Sequence, residues 1–207
     1  MSHYVYDSRS EDINEPLLVP GKITGYRIWT PSVTVEYHKL MDWKGIPWGA
    51  DSYLFSLNQR VKWKVEKVEA KCQLTRPKKR YFENSVFKEH FEAPHRPCHC
   101  GLYAKYTMNE LISSMYDFDR RLFIVGAIEG WGKTILARTG FRCQYAKITS
   151  LLVNDRYSMS YMKHVSSHYN VPIFDHESDL ASAFPPSDLS ALGINHKPFT
   201  YGLVPPW

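Results

Sequence analysis

Nowhere in the 207 residues do about 18 apolar side chains follow one another, so the sequence holds no candidate membrane-spanning helix. The opening residues, Met1-Ser2-His3-Tyr4-Val5-Tyr6-Asp7, lack the basic-then-apolar order of an export signal. There is no fixed-period repeat and no low-complexity tract. Cysteine is scarce: there are four, and two of them, Cys98 and Cys100, sit too close together to bridge comfortably. This argues against a disulfide-stapled secreted scaffold and for a reducing, cytoplasmic setting. Familiar catalytic patterns are missing as well. The chain carries no Gly-x-Ser-x-Gly elbow, no His-Glu-x-x-His helix and no carboxylate pair spaced for acid/base work.

What is present describes an ordinary globular protein. Hydrophobic residues make up 43% and charged residues 23%, at a length suited to one domain with appended segments. Aromatic content is high, with six Trp and fourteen Tyr, which serves either a well-built core or a stacking surface.

Residues 22–30 and 33–38 are rich in β-branched and aromatic types separated by turn-formers, predicting two strands. Between Val61 and Cys72 apolar residues alternate with lysines, predicting one strand with a wet face, bulged near Glu66. Thr107 and Glu110 have the spacing of a capping box and predict a helix over 108–116. Three further strands are expected at 122–128, 134–137 and 141–152, split by Gly130, Gly132 and Gly140. A second helix is expected within 155–168, ended by Asn170 and Pro172, with a helical turn at 187–192. The fold class is therefore α+β: a compact, largely antiparallel, partly closed sheet with two or three short helices.

Two stretches resemble known proteins. One is His90-Phe91-Glu92-Ala93-Pro94 leading to Cys98-His99-Cys100-Gly101-Leu102-Tyr103-Ala104; the other is Gly126 to Lys133 leading to Gly140-Phe141-Arg142. Together they resemble an uncharacterised family of actinobacterial and actinobacteriophage proteins, loosely over 22–172 and closely at these motifs. The family has no established activity, so the resemblance implies an origin and a fold, not a reaction. It also implies a phage-type protein working in a bacterial cytoplasm. Relative to that family the chain has Lys133 where Arg is usual and a basic insertion at about 73–89. The expected layout is a mobile arm over 1–20, one domain over 21–175 and a Pro-rich tail over 176–207.

Cys98-x-Cys100, with His90 and Cys72 upstream, supplies three thiolates and an imidazole, a set suited to tetrahedral zinc. Gly101 permits the tight turn that lets both cysteines of the pair reach one ion. His95 or His99 could stand in for His90, and Cys143 for Cys72. With all four positions filled by protein, such a zinc would be structural; the alternative is that Cys72 and Cys143 are small buried apolar residues on strands and the histidines are solvated.

The segment 127–134 ends Gly130-Trp131-Gly132-Lys133-Thr134 and satisfies a relaxed phosphate-loop pattern, which would make the protein a nucleotide hydrolase. That role needs a helix starting at Lys133, and Gly140 follows too soon for one. Strand pairing across the glycines is the better reading. Tyr161, His164 and His168 share a helix face, which reads as the partly buried side of a surface helix.

Charge supplies the remaining signal. From Arg60 to Arg80 the chain holds nine basic and two acidic residues, a net +7, leaving 17 basic and 19 acidic elsewhere. Lys62, Lys64, Lys67, Lys71, Arg76, Lys78, Lys79 and Arg80, interleaved with Trp63, Tyr81 and Phe82, are candidate nucleic-acid contacts. The expected function is thus a non-enzymatic accessory protein binding nucleic acid. The competing reading is a phage-type protein that binds a host protein through exposed aromatics and its Pro-rich tail.

Overall fold

Two strands of 13 residues each, Ile124–Leu136 (β6) and Gly140–Leu152 (β7), form the spine of the molecule. Both are dense in β-branched, aromatic and small residues, and over much of their length buried positions alternate with half-exposed ones. They pair antiparallel through a tight connection at Arg138-Thr139, closed by Ala137 N–H donating to Gly140 O at 2.8 Å. The computed structural model describes residues 17–19, 21–31, 53–57, 61–72, 92–95, 98, 100–114, 123–154, 157 and 159–192.

Around the spine lie Leu17–Leu18 (β1), Ile23–Pro31 (β2), Leu54–Phe55 (β3), Val68–Glu69 (β4), Leu102–Lys105 (β5) and Ile173–Phe174 (β8). β6 pairs with β2 and β7, β7 with β5, and β5 with β2 through Tyr26 and Lys105. The pairings return to their start, so the sheet is partly closed. All are antiparallel except β7 with β8. One edge of β7 takes three partners in succession: β5 along 140–143, β4 at 145–146 and β8 at 151–152.

Among the described residues the helices are Met108–Ser113 (α1), Met159–Tyr169 (α2) and Glu177–Ala183 (α3), followed by a 3-10 turn at Ser190–Leu192. The main core gathers Trp29, Trp63, Phe141, Ile148 and the inner face of α2. Trp29 and Trp63 meet edge to face at 5.4 Å. Phe141 reaches across the closed part of the sheet, where a Cβ on Gly130 would lie 2.5 Å from its ring and 2.7 Å from Cys143 Sγ. Only glycine leaves room there. A second cluster buries Tyr26, Ala127 and Leu152 under Met108 and Leu111 of α1 and Leu180 of α3.

The α+β, largely antiparallel and partly closed class expected from sequence is what forms. The strand at 22–30 and the capping box are both present, Thr107 N–H donating to Glu110 and Glu110 N–H to Thr107 Oγ1. α1 runs to Ser113 and α2 begins at Met159, later than expected; α2 ends before Asn170, whose φ of 52° is left-handed.

Two expectations need correction. The strands at 122–128 and 134–137 are one, because β6 has partners on both edges: Gly130 stays in register with Ile23 and Ala146, and Gly132 falls in a register shift between Trp131 and Thr134. The alternating stretch from Val61 to Cys72 is not one strand. Lys62 makes an isolated bridge to Phe55, the chain bends at Val65-Glu66, and only Val68–Glu69 joins β7. In the Pro-rich tail, α3 buries Leu180, Tyr26 Oη donates to Phe184 O at 2.6 Å, Thr24 N–H donates to Ser187 Oγ at 2.9 Å, and the turn at Ser190–Leu192 falls within the expected 187–192. The strand expected at 33–38 lies outside the described residues.

Candidate metal centre

β4 and β5 lie end to end along the same edge of β7, and this places Cys72 against Cys98 and Cys100. Cys72 follows β4, whose course beside β7 continues with Ala70 N–H donating to Gln144 O at 2.7 Å. Cys98 and Cys100 precede β5, which is held in register by Leu102 opposite Cys143. A turn in which Cys98 N–H donates to His95 O at 2.9 Å directs both thiols inward. Gly101, with φ of 129°, then swings the chain into β5; a Cβ there would approach Arg142 Cβ at 3.0 Å and Pro94 Cβ at 3.2 Å.

The three sulfur atoms lie within 4.8 Å of one another, and all three residues are buried. Cys72 Sγ and Cys98 Sγ are 3.7 Å apart. A disulfide needs about 2.05 Å, whereas thiolates on a tetrahedral ion at about 2.3 Å stand about 3.8 Å apart. The observed spacing is the second kind, and the three thiols can hold a metal ion. The Cys100 thiol is pushed well above its ordinary value by its hydrogen bond with Cys98, by burial and by the neighbouring Cys98 and Cys72. Three thiolates crowded into an apolar site repel one another, and a cation that replaces the protons relieves that repulsion.

Arg142, 1% exposed, backs the site. Its Nη1 donates to the carbonyls of His95 and Cys100, each at 3.1 Å, and to that of Cys98. One guanidinium thereby fixes the turn that carries two of the three thiols, and these bonds offset the cost of burying its charge. Sequence reasoning missed this role. The one available signal was a charged residue set between the apolar Phe141 and Cys143.

Of the four proposed ligands, Cys72, Cys98 and Cys100 come together, and His90 lies outside the described residues. Of the alternatives, Cys143 is excluded from the cluster. Its thiol donates to Leu102 O at 3.4 Å inside the sheet, where burial raises it to about 12. His95 contributes its carbonyl and is not among the grouped ligand atoms, while His99 lies outside the described residues.

The phosphate-loop look-alike is part of β6. Thr134 is buried with its hydroxyl on Gly132 O at 3.1 Å, Lys133 is ion-paired with Glu92, and no helix starts there. On α2, Tyr161 is buried, His168 stacks edge-on against Tyr53 at 4.8 Å, and His164 is exposed, as expected of a partly buried helix side. Lys62, Lys64, Lys67 and Lys71 are all exposed; Arg76, Lys78, Lys79 and Arg80 lie outside the described residues. Among the described residues no helix is long and apolar enough to cross a membrane. The chain matches no protein-family model, no curated protein and no solved structure.

Proposed function

We propose that the protein is a binding module that grips nucleic acid through its basic segment, on a fold stapled by one structural zinc ion. Zinc is favoured over other metals by the ligand type: three thiolates, with His90 as fourth donor, make a closed tetrahedral set with no position left for substrate. Four buried, unbridged cysteines suit a reducing cytoplasm. The observation that carries the nucleic-acid reading is the exposure of Lys62, Lys64, Lys67 and Lys71 along a ribbon whose last residue, Cys72, belongs to the thiol cluster. The staple anchors the charged ribbon, so its lysines are presented from a fixed base and less entropy is lost on binding. Recognition of this kind reads phosphates and is indifferent to base sequence.

Gel retardation across a salt series tests the reading. Affinity should fall steeply with salt, and Lys78→Ala, Lys79→Ala and Arg80→Ala together should flatten the logarithmic slope by up to about three. No retardation of DNA or RNA at low salt and micromolar protein would refute it.

A further inference from the structure

The outer face of the β6–β7 ribbon changes character halfway along. Near its α-covered end, Val125 and Ala127 pack with Met108, Leu111 and Leu180. Beyond Ile128 the same face is only half-buried. There Glu129, Trp131, Tyr145 and Lys147 alternate with the buried Ile128, Gly130, Ala146 and Ile148.

Trp131 and Tyr145 are direct cross-strand partners, with ring centres 6.1 Å apart and planes inclined by 32°. Each carries a lysine: Lys22 Nζ stands 5.7 Å from the Trp131 ring centre, and Lys67 Nζ 4.7 Å from that of Tyr145. Next to Tyr145, β4 contributes Glu69, flanked in alternation by exposed Lys67 and Lys71. Two carboxylates lie in this register: Glu129, opposite Lys147 and ion-paired with Lys22 at 2.5 Å, and Glu69, opposite Tyr145 between Lys67 and Lys71.

We infer that this half-open face, centred on Trp131 and Tyr145, is a stacking platform for single-stranded nucleic acid. Unstacked bases displace Lys22 and Lys67 from the two adjacent aromatic rings, and the lysines turn to the phosphates between the bases. A duplex keeps its bases stacked on one another and can use only the lysines. The occupant is therefore a single strand of any sequence. The inference rests on the nucleic-acid reading above but makes a separate claim about where the bases sit and which strand form is preferred.

Binding of an unstructured 20-nucleotide strand and of the matching duplex is compared at low salt. The unmodified protein should prefer the single strand. Trp131→Ala and Tyr145→Leu should each weaken single-strand binding about tenfold, through the loss of one stacked base. Duplex binding and its salt slope should stay unchanged, and Trp131→Phe should restore most of the loss. Unaltered duplex binding also certifies that each variant is folded. If both variants bind single strands as the parent does, while the Lys78, Lys79 and Arg80 triple change weakens them, the platform is wrong and the basic-segment reading stands. Absence of binding to either form overturns both.

Discussion

Cys143 and the Cys72, Cys98 and Cys100 group are alike in burial, between 0% and 6% exposed, and alike in being unbridged. Their surroundings differ. Cys143 lies mid-strand between Phe141, Gly130 and the Leu102 carbonyl, where sulfur is a small apolar filler with one weak hydrogen bond. The other three sit beyond the ends of elements, after β4 and before β5, where the chain leaves the strands and brings the thiols to a common point. Burial alone therefore does not mark a ligand. Convergence does, and it arises because two segments far apart in sequence share one edge of β7.

The comparison is broken most severely by removing the convergent thiols. Cys98→Ser with Cys100→Ser should abolish metal binding and lower stability by about 4 kcal/mol or more, as loss of a structural metal does. Thermal unfolding read beside metal content checks it; an unchanged melting temperature would show that the cluster holds nothing of structural weight.

Arg142→Met comes next. It removes a donor shared by the buried carbonyls of Cys98 and Cys100 and the half-buried one of His95, at a cost of about 3 kcal/mol. It should also weaken metal binding about 10- to 100-fold by loosening the turn that carries Cys98 and Cys100. Chelator competition separates the two effects, because a packing defect alone would lower the melting temperature and leave the affinity near that of the parent.

Cys143→Ala sharpens the contrast from the other side. It should cost about 1 kcal/mol for the small void beside Phe141 and leave the metal content unchanged. A lost equivalent of metal in this variant would place Cys143 among the ligands and erase the distinction.

Much of the architecture was legible in the residues. The capping box announced α1, the β-branched run announced β2, and Gly140 announced the break before β7. What could not be read was the effect of neighbours. Gly130 and Gly132 look like strand breakers in isolation, yet Gly130 is an ordinary ladder position with partners on both edges and Gly132 falls in a bulge inside β6. The Val61 to Cys72 alternation kept its burial pattern at Trp63, Val68, Ala70 and Cys72 but lacked a continuous partner, so it forms little ladder. α3 has no capping side chain at His176 to signal its start, and its stability comes from Leu180 packing under the sheet.

The thiol cluster was legible for a different reason: ligand chemistry restricts the side chains, and Cys-x-Cys-Gly is a local pattern. Arg142 was not, because a buried guanidinium is defined by the carbonyls around it, and these come from a segment more than 40 residues away. The choice between Cys72 and Cys143 likewise depended on which strand each residue joined.

The central claim is that Cys72, Cys98 and Cys100 hold a metal that staples the fold. Elemental analysis of the protein purified under reducing conditions, followed by thermal unfolding with and without a strong chelator, tests it most directly. About one equivalent of zinc, with a clear drop in melting temperature on its removal, is the predicted result. Metal near zero, with unfolding indifferent to the chelator, would contradict it and return the three cysteines to the role that Cys143 plays.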